Sequence, residues 1–189
     1  MVFWSRERIL RGAISPFSAV ALWIAVTATL AVARWIMVPS LTERAILHLA
    51  LGAAAAGFLG LAAYIDGVLQ ILPDPLLALA GAAAALSAAS LGAERAANAV
   101  FTGFCGLTIA LMLTAATSMG RGDAKLIGAL GLWTSSVQYL LCGLVAGLVC
   151  AGLFACVLLA SGRMGLKTRM ALGPWLVLGA CIVWISGFI

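Results

Sequence analysis

The chain has 189 residues, of which 65% are hydrophobic and 9% charged, with a formal net charge of +5. A mean hydropathy of +1.18 sets lipid as its solvent, and polar intervals of at most about ten residues exclude a separate soluble domain. The basic balance would suggest nucleic acid in a soluble protein, but here the basic residues cluster at span ends, so a bilayer rather than nucleic acid is the expected partner.

Residues Met1–Ser15 are short and basic, with Arg6, Arg8 and Arg11 against Glu7. The first apolar span runs over 16–38 and ends at Pro39. Arg34 inside it, and the spans that follow at once, argue against a cleaved signal peptide. After the brief linker Ser40–Arg44, span two covers 45–65 and stops at Asp66. A polar turn, Gly67–Asp74, holds Gln70 and the Pro73-Asp74-Pro75 breaker. Alanine-rich span three (75–92) is followed by Glu94 and Arg95, then span four (97–118).

The stretch Met119–Leu130 reads M-G-R-G-D-A-K-L-I-G-A-L. It packs Arg121, Asp123 and Lys125 into five positions, with Gly120 and Gly122 beside the arginine. Glycine lets the backbone turn sharply or approach another chain closely, and Asp123 stands where an N-cap is expected before a helix. Span five, 124–135, is too short to cross squarely, since twelve residues of helix cover only about 18 Å. Span six covers 137–160, the loop Ser161–Arg169 carries Arg163, Lys167 and Arg169, and span seven covers 171–188. Five cysteines, Cys105, Cys142, Cys150, Cys156 and Cys181, lie inside spans and form no C-x-x-C, and the chain has one histidine. The thiols therefore read as small buried hydrophobes, with no zinc site, no other metal and no cofactor expected.

The fold expected is an all-α polytopic membrane protein of about seven transmembrane helices, in one domain over residues 1–189. With the N-terminus inside, eight basic residues (Arg6, Arg8, Arg11, Arg121, Lys125, Arg163, Lys167, Arg169) fall on the cytoplasmic side. Arg34, Arg44 and Arg95 fall near the other face, an asymmetry that follows the positive-inside rule.

That topology puts Asp66 and Asp123 at one membrane face, two crossings and a turn apart. Two aspartates a few Å from each other share one proton. The ionised one can take a proton from water while the protonated one polarises a scissile carbonyl, with no metal and no covalent intermediate. Serine or cysteine chemistry wants a base, and His48 reads as a structural residue on the far side of span two. Asp74 reads either as the cap of span three or as a competing catalytic carboxylate. Arg121 and Lys125 read as cytoplasmic anchors, or Lys125 biases the charge of the pair or holds an acidic substrate group.

These residues carry a resemblance. Gly120-Arg121-Gly122-Asp123-Ala124-Lys125-Leu126 resembles the G-x-G-D-x-K-L signature of the type IV prepilin peptidases, which are G-x-G-D intramembrane aspartic proteases. Asp66 followed by Leu72-Pro73-Asp74 is similar to that family's first aspartate and its downstream turn, and Leu172-Gly173-Pro174-Trp175 to the element opening its last span. The resemblance spans about residues 45–185. It implies a six-helix protease core over 45–189, preceded by a basic tail and an extra span over 1–44. It implies Asp66 and Asp123 as the catalytic pair, with Gly120, Gly122, Lys125 and Asp74 as supporting residues.

The implied substrate is a prepilin-like or preflagellin-like subunit with a basic leader and a hydrophobic N-terminal helix. It would be cut at the cytoplasmic face of the inner membrane, after a glycine. The cytoplasmic insertion with paired C-x-x-C motifs, tied in longer members to zinc and N-methylation, has no counterpart here, so the chain resembles the compact, peptidase-only members. Two other classes compete: a non-catalytic membrane assembly or scaffold protein that keeps the fold, and a proton-coupled carrier. The carrier would want acidic residues near mid-bilayer, where this chain has none in the expected topology. Oligomeric state is not encoded legibly, because glycine- and alanine-rich faces suit packing within and between chains alike.

Overall fold

A computed structural model describes residues 16–37, 42–117, 119–162 and 170–186. The expected basic tail Met1–Ser15, Pro39 and the basic residues Arg163, Lys167 and Arg169 lie outside the described residues. Among the described residues the protein is all-helical: α1 (Pro16–Met37), α2 (Glu43–Leu69), α3 (Asp74–Ser90), α4 (Ala93–Ala116), α5 (Arg121–Thr134), α6 (Val137–Ala160) and α7 (Gly173–Ile185). Three of them, α2, α4 and α6, are long and apolar enough to cross a membrane. α3 and α7 are apolar but shorter.

Local chemistry sets the ends of α2. Thr42 caps its start, accepting a hydrogen bond from the Ala45 amide at 3.3 Å, and Glu43 in the first turn suits the positive end of the helix. At the other end α2 runs three residues past Asp66, to Leu69, and stops where Gln70 takes a left-handed conformation with φ 55°. Asp66 thus lies in the last helical turn, inside the helix rather than at the mouth of the expected polar turn.

α2 is the central element, packed against α1, α3 and α7. Its buried stripe is small: Ala53, Ala55, Ala56, Ala62 and Ala63 surround Leu59. Between helices in lipid there is no hydrophobic driving force, so association depends on van der Waals contact at short range, which small side chains permit. The α4–α5 pair uses the same device, with Gly103 and Gly131 at the crossing. A Cβ on Gly131 would lie 2.8 Å from the Gly103 Cα. Bulk enters at the far end of the bundle. There Trp133 of α5 stacks on Trp184 of α7 at 5.4 Å, and the Trp133 indole N–H donates to the Gly52 carbonyl of α2 at 3.0 Å.

The same end holds Arg34 and His48. Arg34 of α1 is only 6% exposed, and its guanidinium lies 5.5 Å from the centre of the Trp184 ring. His48 Nδ1 lies 2.8 Å from the Ser87 hydroxyl, which itself lies 3.0 Å from the His48 carbonyl, so the pair ties α2 to α3. Its place, eighteen residues before Asp66 on one helix, is roughly 27 Å away along the axis. The thiols depart from expectation. Cys105, Cys150 and Cys181 are half-buried, and Cys142 and Cys156 are exposed because α6 buries only the stripe Leu140, Gly143, Gly147 and Ala151.

Candidate active site

The site grows from three helix ends. α2 contributes Asp66 from its last turn, α5 contributes Asp123 from its first, and α7 contributes its N-terminus. Asp66 is 7% exposed, and its Oδ2 accepts a hydrogen bond from the Gly173 amide at 3.1 Å. The two carboxyls are within electrostatic reach of one another.

Asp123 is not the N-cap it was expected to be. Gly120 occupies that position and α5 begins at Arg121, so Asp123 falls within the first turn, its amide donating to the Gly120 carbonyl at 3.1 Å. The carboxylate still benefits from the positive end of the helix. It stands just ahead of the apolar run that starts at Ala124. Withdrawal from water pushes its carboxyl above the usual carboxylate range, and a hydrogen bond from the Gly120 backbone opposes the shift.

Neither glycine of the motif takes an unusual backbone angle, and only Gly122 is required by space. Gly120 has φ −71° and ψ 143°, open to any residue. At Gly122 the demand is close approach: a Cβ there would lie 3.2 Å from both Cβ and Cδ1 of Leu72, in the turn that follows Asp66. The missing side chain lets that turn settle on the start of α5.

Asp74 and Lys125 resolve together. Asp74 is the first residue of α3, with Pro73 as N-cap and no side-chain capping bond. Its carboxylate instead receives Lys125 Nζ, 2.7 Å from each oxygen. Both side chains are at least half in the open, Asp74 at 66% and Lys125 at 50% exposure. Lys125 therefore neutralises Asp74, and Arg121 beside it is exposed.

Two open apolar grooves flank the site. One, of about 700 Å³, lies between α3 and α4 with α5 as its floor, and has Asp74 and Lys125 at its polar end. The other, of about 550 Å³, lies between α1, α2 and α7 and reaches Tyr64 and Pro174. The one contributor that the sequence reading left without a role is Gly173. Its signal was present in Gly173-Pro174, a pair suited to starting a helix, but nothing local says which carboxylate that start meets.

The sequence profile of the type IV leader peptidase family matches residues 53–160, a stretch that holds Asp66, Asp74 and Asp123 and ends with α6. No curated protein matches the chain. No solved structure matches it either.

Proposed function

The chain belongs to the type IV leader peptidase family, and from that premise we propose that it is a membrane-embedded aspartic endopeptidase with Asp66 and Asp123 as its catalytic pair. Its substrate is a prepilin-like or preflagellin-like subunit, whose basic leader it removes at the cytoplasmic face of the inner membrane. The observation that carries this reading is a buried carboxyl at the end of α2 within electrostatic reach of a second carboxyl at the start of α5.

One proton is shared by the pair in the resting state. The ionised carboxylate takes a proton from water as the water oxygen bonds to the scissile carbonyl carbon, and the protonated partner gives its proton to the carbonyl oxygen. In the resulting gem-diol the first carboxyl passes its proton to the amide nitrogen. The second takes one from a hydroxyl, and the carbon–nitrogen bond breaks. Both aspartates end as they began, with one carboxylic acid and one amine released.

The helix arrangement fits a substrate with two characters. Seven crossings, with the apolar part of α5 tilted or re-entrant from Ala124, leave both aspartates at one face. The substrate's apolar segment then lies in the groove between α3 and α4, while its basic leader remains in water. Lys125, held by Asp74, secures the start of α5 beside that groove.

The test is cleavage by the purified protein in detergent of a peptide with a basic leader, a glycine and an apolar segment. Wild type is expected to release the leader. Asp66→Asn and Asp123→Asn, each accumulating normally in the membrane, are expected to lose at least about 100-fold in rate. Full activity in either variant rules out the pair, and no product from wild type at any pH favours a scaffold that keeps the fold.

A further inference from the structure

We propose that Gly173 is a positioning residue of the site: its amide N–H and its missing Cβ hold the Asp66 carboxyl in its working orientation. The inference rests on the reading of Asp66 as one of the catalytic pair.

Asp66 stands in the last turn of α2, where the helix end carries partial negative charge and by itself disfavours a carboxylate. The compensation comes from another element. α7 begins at Gly173 and points its positive end, with one free amide, at Asp66 Oδ2. Pro174 has no N–H, so the donor at the tip of α7 is that of Gly173.

Space makes the same selection. A Cβ on residue 173 would lie 2.6 Å from Asp66 Oδ2, 3.3 Å from its Cγ and 3.5 Å from its Cβ. The whole aspartate side chain rests over the glycine, and any larger residue must push the carboxyl away or lift α7. α7 is seated at its other end by Trp184, which is stacked on Trp133 and covered by Arg34. The amide is thus presented by a helix fixed at both ends.

The other groups near Asp66 do not substitute for it. α5 brings Asp123, a like charge when ionised. On α3, Asp74 is paired with Lys125 and is an acceptor, not a donor. The first turn of α7, Gly173 to Leu176, has no ionisable side chain.

The decisive measurement is spectroscopic and needs no substrate. Full-length protein in detergent, labelled with carbonyl-13C leucine and 15N glycine, shows by NMR the amides of glycines that follow leucine. Gly173 is among them, and Gly67, next to Asp66, is not. One such amide proton is expected to shift as pH is scanned through the carboxyl range, and to stop shifting in Asp66→Asn. If none of these amides moves in wild type, or if the movement persists in Asp66→Asn, the inference is overturned. In cleavage assays Gly173→Ala is expected to lower kcat about 10- to 100-fold with KM within about twofold; a wild-type kcat overturns it too. Should Gly173→Ala fail to accumulate, the amide measurement on wild type and Asp66→Asn still decides. Absence of cleavage by wild type sinks the proposed function, while the amide shift continues to report on Gly173 and Asp66 alone.

Discussion

Lys125 Nζ stands 2.7 Å from both carboxylate oxygens of Asp74, across 51 residues of sequence. The contact links the first turn of α5, which carries Asp123, to the start of α3, which follows Asp66 by a short turn. It crosslinks the two segments that deliver the paired aspartates, at a point open to water.

That exposure limits its energy. A surface ion pair contributes about 0–1 kcal/mol, so Lys125→Met should lower thermal stability in detergent only slightly. The larger effect is expected on cleavage, through looser placement of α5, and Lys125→Arg should restore part of it. The doubly swapped Lys125→Asp, Asp74→Lys protein should be more active than either single swap. A double swap whose loss equals the product of the two single losses would show that the pair has no coupling.

The pH dependence follows from Asp123. Its carboxyl is raised by desolvation, so it holds its proton to a higher pH than an ordinary aspartate. The working pair needs one proton. The rate should therefore fall as pH rises through this raised range and the pair loses its last proton. At low pH it should fall again, once both carboxyls are protonated. Plotted as kcat/KM against pH, the result is a bell; a profile flat on both sides would exclude proton sharing.

Glycines at helix contacts should divide sharply by their surroundings. A Cβ on Gly179 of α7 would run into the Gly143 carbonyl oxygen and the Gly147 backbone of α6. Gly179→Ala is expected to destabilise by about 1–3 kcal/mol, as overpacking does. Gly152, also in α6, has nothing within 4 Å of such a Cβ, and Gly152→Ala should stabilise the helix by about 0.5–1 kcal/mol. Thermal unfolding in detergent measures both, and equal effects would contradict the α6–α7 contact.

Arg34 offers a test of how α1 is attached. Its guanidinium is buried against the Trp184 face at 5.5 Å, and removing it with Arg34→Ala should cost about 1–2 kcal/mol. Arg34→Lys should recover little, since a compact ammonium cannot cover the ring as a planar guanidinium does. Tryptophan fluorescence during unfolding would register both. No change in either variant would mean that α1 is held by other contacts.

Much of this architecture could be read from the chain alone. Apolar runs, with Pro73-Asp74-Pro75 and Gly120-Arg121-Gly122 between them, located the seven helices among the described residues to within a few positions, because helix in lipid is dictated by length, hydropathy and breakers. Asp66 and Asp123 were equally legible as candidates, since few carboxylates exist in so apolar a chain. What local sequence could not supply was partnership. Whether Asp74 caps α3 or binds Lys125, and whether Asp123 caps α5 or sits in its first turn, depends on which side chains arrive from elsewhere.

The sequence by itself determined the apolar character, the helices and two candidate carboxylates at helix ends, all of which follow from the cost of exposing backbone and charge to hydrocarbon. Only the tertiary structure decided that the tip of α7 meets Asp66, because the Gly173 amide reaches its acceptor from 107 residues away. That bond exists only where helices crowd closely enough for a missing Cβ to matter.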